Sequence, residues 1–286
     1  YLKRIVIIIN LKKLIFKMQN LKIFCICIHD QLLDKVKKLN YIPVGLGQDI
    51  SDPRWVRDNS GINITEKNKF YGEYTFHYWF WKNEIKKIND GDWVGFCAYR
   101  RFWSGEGFNK NAKFKDQVLK TVPKSWNKYQ VILGNKIEVD DIKWIKILKY
   151  GKISLIRNPK AILKKNRNIK FHFDMFHGNG ILDKAINALD SNDRQDFRDF
   201  VNLNKSYNHG NMFLCNSKNI MINYYETVFE WLSRCEKIFG FDLKGYSKIR
   251  IYGFLAERFL PYWFNKYSNY LEWPIIFNDL REEQFN

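Results

Sequence analysis

The sequence predicts an α/β protein with a mixed sheet and a largely helical C-terminal half. Two strongly apolar runs, 21–28 and 93–98, are separated by a long stretch with helical spacing, and long amphipathic stretches dominate the last hundred residues. A strand, a helix and a further strand in that order form the unit from which parallel sheets are built. The 286 residues suffice for one such domain with a substantial core.

The first half of the chain supplies most of the predicted strands. The run 21–28 is a buried strand with His29 at its carboxyl edge, and 49–63 has the polar, turn-rich composition of a loop. A loop of that length in a compact domain is usually functional. Thr65 can cap the helix that follows. The predicted elements are strand 21–28, helix 31–39, extended segment 41–47, loop 49–63, helix 68–88, strand 93–98 and strand 129–133.

The second half is predicted to be mainly helical. The stretch 139–168 is strongly basic without a clear period, which suggests a mobile or lid-like segment. The predicted elements after it are helices 171–189 and 190–201, strand 211–215, and helices 220–239 and 252–267. No internal repeat or low-complexity linker interrupts this order, so we expect residues 18–286 to form a single domain.

Residues 1–17 differ from the rest, with five basic side chains and no acidic one before Met18. We interpret them as a non-native or basic leader. The apolar run 5–9 is too short for a signal peptide or a membrane span, and no later segment reaches spanning length. These features predict a cytoplasmic protein, with peripheral contact at the inner membrane as an option.

The net charge of +18 favours an anionic partner but does not distinguish between the classes of anionic partner. Nucleic acid, an anionic membrane or an anionic substrate would each suit it. The lysines are dispersed and most aromatics look buried, which counts against nucleic acid. The five cysteines (Cys25, Cys27, Cys97, Cys215, Cys235) lack zinc-type spacing and are predicted to be buried thiols, so no metal site is predicted.

The most informative stretch is the strand 93–98 with the polar residues Tyr99, Arg100 and Arg101 behind it. Open α/β sheets bind ligands at the carboxyl ends of their strands. The guanidinium fork matches phosphate or carboxylate, so we predict an anionic ligand here. Surface ion pairing of both arginines is the alternative.

Several spaced motifs follow one another in a recognisable order. They are Tyr41-Ile-Pro-Val-Gly45, the segment 57–68 (Arg-Asp-Asn-Ser-Gly-Ile-Asn-Ile-Thr-Glu-Lys-Asn), Glu73 with Tyr78-Trp-Phe-Trp-Lys-Asn83, Gly95-Phe-Cys-Ala-Tyr-Arg-Arg-Phe102, His177, Asn211-Met-Phe213 and Tyr252-Gly-Phe-Leu-Ala-Glu-Arg258. Over residues 21–264 the chain resembles the DUF4422 family, glycosyltransferase-like proteins of bacterial capsule and exopolysaccharide clusters. One departure is Ala98, where the family usually shows His.

The resemblance implies a GT-A-like fold, in which a Rossmann-type sheet binds a nucleotide-sugar, with UDP favoured. GT-A enzymes usually carry Asp-X-Asp at the strand tip to hold a divalent metal on the diphosphate. The tip here, 98–101, has cations and no carboxylate. We therefore expect a metal-independent transferase in which Arg100 or Arg101 stabilises the diphosphate, with no cofactor required and a divalent metal less favoured.

The resemblance also suggests roles for individual residues. The predicted donor-binding residues are His29, Asp58, Asn63, Lys67, Arg100 and Arg101, and the predicted acceptor or sugar contacts are Tyr99, His209 and Asn211. For the members from 58 to 67, turn chemistry is the alternative. Glu257 is the first choice for the general base and His177 the second. A buried ion pair with Arg258 or Arg250 is the alternative for Glu257, and a core position is the alternative for His177.

Three functions remain open on the sequence. The first is sugar transfer to a growing capsular or cell-surface glycan, whose acceptor a polyprenyl diphosphate could carry. The second is a basic nucleic-acid-binding module, which predicts a clustered basic face. The third is an inactive scaffold with a glycosyltransferase-like fold, which the change at Ala98 keeps open.

Overall fold

The computed structural model describes residues 19–107, 109 and 111–283, so the predicted leader lies outside the described residues. One large sheet forms its centre. Its strands are β1 (Leu21–Cys27), β2 (Ile42–Gly45), β3 (Trp93–Ala98), β4 (Arg101–Trp103), β5 (Val131–Gly134), β8 (Phe213–Cys215), β9 (Tyr270–Trp273) and β10 (Ile275–Phe277). A separate antiparallel pair consists of β6 (Lys136–Glu138) and β7 (Ser206–Asn208).

The large sheet is mixed. Strand β1 lies between β2 and β3 and runs parallel to both. The first half of β3 pairs antiparallel with β8, and its last residue turns into β4. Strand β5 pairs antiparallel with β8 and parallel with β9, while β10 covers the other edge of β4. The carboxyl ends of the parallel strands β1 and β3 therefore lie beside the antiparallel turn at residues 98–101.

The period-2 alternation of the strands builds a core on each face of the sheet. In β1, Phe24 and Ile26 belong to one buried cluster, and Ile23 and Cys25 to the other. The strands pack closely: a Cβ on Gly95 would lie 2.6 Å from the Leu214 side chain. All five cysteines are buried and free, as predicted.

Helices cover both faces. They are α1 (Leu33–Lys38), α2 (Asn68–Tyr71), α3 (Tyr74–Asn83), α4 (Phe114–Gln117), α5 (Trp144–Tyr150), α6 (Lys152–Arg157), α7 (Ile169–His177), α8 (Ile181–Asn187), α9 (Ser191–Leu203), α10 (Lys218–Phe239), α11 (Tyr246–Ile249) and α12 (Ile251–Tyr267). Single 3₁₀ turns at 30–32, 65–67, 85–87, 124–128, 159–162 and 164–166 connect them. In the part of the chain that the structure describes, no helix combines the length and apolarity that crossing a bilayer requires.

Two predicted helices are interrupted in the structure. The helix expected over 68–88 breaks at Gly72, where φ is 58°, and the helix expected over 171–189 breaks at Gly178, where φ is 114°. Glycine adopts positive φ without the steric cost that a Cβ brings. The apolar period continues across both breaks, which is why the sequence predicts single helices.

The basic segment 139–168 is folded into α5, α6 and two 3₁₀ turns. Its centre of organisation is Arg167, which is only 3% exposed. Its guanidinium donates to the carbonyls of Ala161 and Asp140, at 3.0 and 3.1 Å, and to two neighbouring carbonyls. The segment expected to be lid-like therefore has a fixed internal arrangement.

Candidate functional site

A cleft of about 430 Å³ opens at the sheet edge where β1 and β3 end and β8 approaches. Ligand pockets in proteins commonly occupy about 300–1,000 Å³. Its lining comes from the ends of β1, β2 and β3, from 210–212, and from α2, α11 and α12. The site predicted at the carboxyl ends of the strands thus coincides with a cavity of suitable size.

The tight turn between β3 and β4 sends its two arginines to different partners. Arg100 donates from Nε to Asp279 Oδ2 at 2.9 Å, and Arg281 binds the same carboxylate. Both arginines line the cleft, but Arg101 has no acidic partner among the described residues. Its charge adds to burial, the larger cause, in lowering the pKa of His209. Of the two predicted phosphate ligands, Arg101 is therefore the one with an uncommitted guanidinium.

The tip is held by the C-terminal segment. The backbone N–H of Asn278 donates to the Arg100 carbonyl, and that of Leu280 donates to the Tyr99 carbonyl, both at 3.1 Å. The Tyr99 ring packs edge-on against His29, with 5.4 Å between centroids. Tyr99 lines the cleft, while His29 lies directly behind it.

The opposite wall carries Glu257. One carboxylate oxygen accepts the Gly210 N–H at 2.7 Å, and the other accepts from Arg258, which is 2% exposed. Burial raises the pKa of Glu257, but the Arg258 charge, the Gly210 N–H and smaller favourable contacts together hold it below its ordinary value. Glu257 is thus an ionised carboxylate at neutral pH. The ion pair considered in the sequence analysis is present, and the same side chain lines the cleft.

A second carboxylate, Glu73, reaches the cleft from the turn before α3. Its Oε1 accepts from Asn211 Nδ2 at 2.8 Å, and Asn211 also donates to the Gly253 carbonyl at 3.3 Å. Glu73 and His77 are one helical turn apart but do not pair, because His77 turns into the core and contacts the Tyr225 hydroxyl at 3.0 Å.

Two buried polar atoms beside the cleft have no protein partner among the described residues: Asn211 Oδ1 and His209 Nδ1. A buried polar atom without a partner is costly, so such atoms mark places where a ligand or water completes the hydrogen bonding. Burial, and then the Arg101 charge, lowers the pKa of His209, so its ring is neutral near pH 7. The Asn211 oxygen can therefore accept a hydrogen bond from a ligand, and the His209 nitrogen can accept or donate one according to its tautomer.

Arg250 is a cleft residue that the sequence analysis considered only as an ion-pair partner. It stands immediately before α12, lines the cleft and stacks beside the Tyr246 ring at 5.2 Å. It forms no ion pair in the described part of the chain. The sequence feature that could have identified Arg250 as a cleft residue is its position just before the motif 252–258.

The remaining predicted residues lie outside the cleft. His177 stacks on Phe254, with 4.1 Å between ring centroids, and its Nδ1 donates to the Ser247 carbonyl at 2.9 Å. Burial and the Arg258 charge lower the pKa of His177 to about 4. Asp58 is 1% exposed, and burial raises its pKa. It lies next to Thr75, which in turn bonds the cleft residues Asn68 and Gly72.

Asn63 and Lys67 have other partners. Asn63 bonds the Gly61 carbonyl and accepts the Thr65 N–H, which is the turn chemistry considered above. Lys67 binds both carboxylate oxygens of Glu236, at 2.8 and 3.0 Å, in the wall of a different cavity. The structure does not bring these two residues to the cleft.

The residues at the tip do not fit a divalent cation. Such ions take carboxylate oxygens, whereas the tip offers guanidinium groups. The two carboxylates in the cleft wall, Glu73 and Glu257, accept hydrogen bonds from Asn211, Gly210 and Arg258 and do not converge on a common point with a third ligand. Among the described residues, no group of three or more His, Cys, Asp or Glu side chains is arranged to hold a metal ion.

Comparison with solved structures places this fold in a known class. The apo structure of the bifunctional glycosyltransferase WbbM matches 91% of this chain at a TM-score of 0.61 and 18% identity. The matched region is 45% of that protein, so this chain spans less than half its length. The predicted class, a GT-A-like α/β fold with a Rossmann-type mixed sheet and a helical C-terminal half, is confirmed.

The family follows from the sequence profile. The domain of unknown function DUF4422 matches residues 22–269, and the chain belongs to this family. The resemblance read from the motifs is thereby confirmed. The curated proteins contain no match to this sequence.

Proposed function

We propose that this protein transfers a sugar from a nucleotide-activated donor, with UDP favoured, to a growing capsular or cell-surface glycan. The observation that supports this most is the cleft at the carboxyl edge of the sheet, where Arg101 and Arg250 face the cavity without acidic partners among the described residues. Open α/β sheets bind their ligands at the carboxyl ends of the strands, which supports a donor site in this cleft.

In this proposal the arginines bind the diphosphate. Breaking the sugar–phosphate bond leaves negative charge on the departing phosphate oxygen, and positioned cations stabilise it. Arg101 and Arg250 would supply this charge without a metal ion, whereas Arg100 holds the turn in place through Asp279. This refines the sequence-based hypothesis, which left Arg100 and Arg101 equivalent.

The acceptor side would use Glu257. Transfer requires an acceptor hydroxyl to lose its proton to a base as the new glycosidic bond forms. Glu257 is ionised at neutral pH and faces the cleft. Tyr99, His209 and Asn211 would contact the sugar or the acceptor. His177 lies behind Phe254 and would act only by supporting this wall.

The acceptor would be carried on a polyprenyl diphosphate at the cytoplasmic face of the inner membrane, so that the protein works while peripherally attached. This part of the proposal is supported by the basic composition of the chain.

The first experiment is a thermal-unfolding series of the purified protein with UDP, GDP, CDP and ADP, each with manganese and with EDTA. A ligand that binds only the folded state stabilises it, by about 2.7 kcal/mol at one hundred times its Kd. We expect one nucleotide, UDP first, to raise the Tm equally in EDTA and in manganese.

Two other results are informative. A shift that appears only with manganese would keep sugar transfer and contradict the arginine mechanism. No shift with any nucleotide, together with binding of single-stranded DNA, would contradict the transferase proposal and favour the nucleic-acid-binding alternative.

A further inference from the structure

A second surface of the molecule combines exposed apolar and basic side chains. We call residues 143–165, which include α5 and α6, the basic apolar surface. Of the sixteen large hydrophobic side chains that are exposed among the described residues, eight lie here. They are Trp144, Ile145, Leu148, Tyr150, Ile153, Ile156, Ile162 and Leu163. Exposed apolar groups concentrated in this way mark a binding surface.

The exposure is not a consequence of poor folding. Ile147 and Ala161 are fully buried against Phe171 and Met175 of α7, where they form a small core of their own. Arg167 fixes the backbone of the same segment from below and places its guanidinium 4.6 Å from the Trp144 ring. The surface is therefore a folded element that turns most of its apolar side chains outward.

The charge of the surface has one sign. Residues 142–173 contain no Asp or Glu, and eight basic side chains lie within the surface itself: Lys143, Lys146, Lys149, Lys152, Arg157, Lys160, Lys164 and Lys165. Lys164 pairs with Asp141. No other member has an ion pair in the described part of the chain.

We propose that the basic apolar surface docks this protein on an anionic lipid bilayer. Short helices with outward Ile and Leu, flanked by lysines, lie in the plane of a membrane with their apolar side chains among the acyl chains. Lysine and arginine are attracted to anionic headgroups, and Trp and Tyr favour the interface between headgroup and hydrocarbon. All three components are present within this one segment.

Other occupants fit less well. A second copy of the chain, docked through the same surface, would bring two sets of unpaired lysines together, and the segment 1–17 is basic as well. Nucleic acid would satisfy the lysines. However, six of the eight exposed hydrophobics are aliphatic and offer no ring on which a base can stack.

One helix links this surface to the cleft. Phe171 and Met175 of α7 support the surface, while His172 of the same helix accepts from Arg258 at 3.4 Å. Arg258 in turn holds Glu257 in the cleft wall. A bilayer bound at the surface would lie one helix away from the cleft. The docking inference does not depend on sugar transfer and has its own test.

The test is flotation of the purified full chain with vesicles of neutral phosphatidylcholine, alone or with about 30 mol% phosphatidylglycerol. The variant combines Ile145→Glu with Ile156→Glu, at positions that are 75% and 79% exposed. The matched control combines Leu203→Glu with Ile238→Glu, which are exposed hydrophobics outside the surface and give the same charge change. UDP binding, detected as a rise in Tm, is measured on all three proteins.

We expect the wild type and the control to float with anionic vesicles only, and the surface variant to bind at least about tenfold more weakly. Retained UDP stabilisation in the variant would separate docking from the cleft. Equal binding by the variant and the wild type, equal loss in variant and control, or no flotation of the wild type would each overturn the proposal. The proposal would also be overturned if the wild type did not bind vesicles but formed a dimer, or bound single-stranded DNA, and the surface variant lost that interaction.

Discussion

The cleft and the basic apolar surface are both cationic, but they hold their charges in opposite ways. In the cleft wall, Arg258 is 2% exposed and paired with Glu257, and Arg101 belongs to a turn that backbone hydrogen bonds hold in place. On the surface, the lysines extend into water with few partners. The cleft therefore suits a ligand of defined shape, whereas the basic apolar surface suits a partner that has no defined shape.

The difference predicts different sensitivities. Buried charges are screened little by salt, and their neighbours fix their geometry, whereas exposed charges are screened within about 10 Å at 0.1 M salt. Substitutions in the cleft should therefore change stability or chemistry sharply, and substitutions on the surface should change docking alone. Four predictions test this contrast.

The largest effect is expected for Arg101→Ala. Loss of one positioned donor to developing charge commonly lowers turnover by about 10²–10³-fold. Arg100→Ala is the matched control on the same turn, and its turnover should fall far less because Arg100 is committed to Asp279. Initial rates with a UDP-sugar donor measure both. Equal losses would mean that the turn, rather than the free guanidinium, is what matters.

Glu257→Gln should cost about 3 kcal/mol of unfolding free energy, because it leaves the Arg258 charge buried without its counter-ion. Urea denaturation measures it. A double variant that adds Arg258→Met should recover part of the loss, since no buried charge then remains unpaired. A single variant as stable as the wild type would show that the pair contributes nothing to the cleft wall.

Stability should fall between pH 6.5 and pH 5 because of the buried histidines. Burial lowers the pKa of His177 to about 4 and that of His77 to about 3. Below pH 6.5 the unfolded chain therefore binds protons that the folded protein excludes, which costs about 2 kcal/mol per histidine by pH 5. Glu257 adds nothing in this window, because its lowered pKa matters only below its ordinary value of 4.5.

His177→Gln tests this assignment, since it removes one titrating group and should reduce the pH-dependent loss by about 2 kcal/mol. The urea midpoints at pH 7 and pH 5 give the comparison. An unchanged difference between the two pH values would exclude His177 as a source.

The smallest effect on stability is expected at the surface. Ile145→Glu and Ile156→Glu should each change the unfolding free energy by no more than about 0.5 kcal/mol, because both side chains are mostly in water. The same urea titration checks this. A large loss would place these residues in contact with part of the protein and would weaken the contrast between the two regions.

The sheet was largely predictable from the sequence. Strand β3 was expected over 93–98 and lies there, because a short apolar run bounded by turn residues has few alternatives. The helices were less so. Breaks at Gly72 and Gly178 depend on a backbone angle, and the outward apolar residues of α5 and α6 hide the period that would have predicted them.

For the candidate site, the sequence predicted which residues lie near the cleft, but it did not predict which side chains they contact. Predicted residues that line the cleft include Tyr99, Arg101, Asn211 and Glu257. They could be predicted because they stand at strand ends or within a dense sequence motif. The partners of Lys67 and Arg100 lie 169 and 179 residues away. No local pattern distinguishes such a committed cation from the free guanidinium of Arg101.

The contact between residues 278–280 and the turn at 99–100 has a consequence for how the protein is made. The parallel unit β1–β2–β3 is complete once residue 98 has emerged from the ribosome. The bonds from Asn278 and Leu280 to the tip beyond β3 form only when β10 pairs with β4. A chain still under synthesis therefore carries an unfinished cleft until residue 280 has left the exit tunnel.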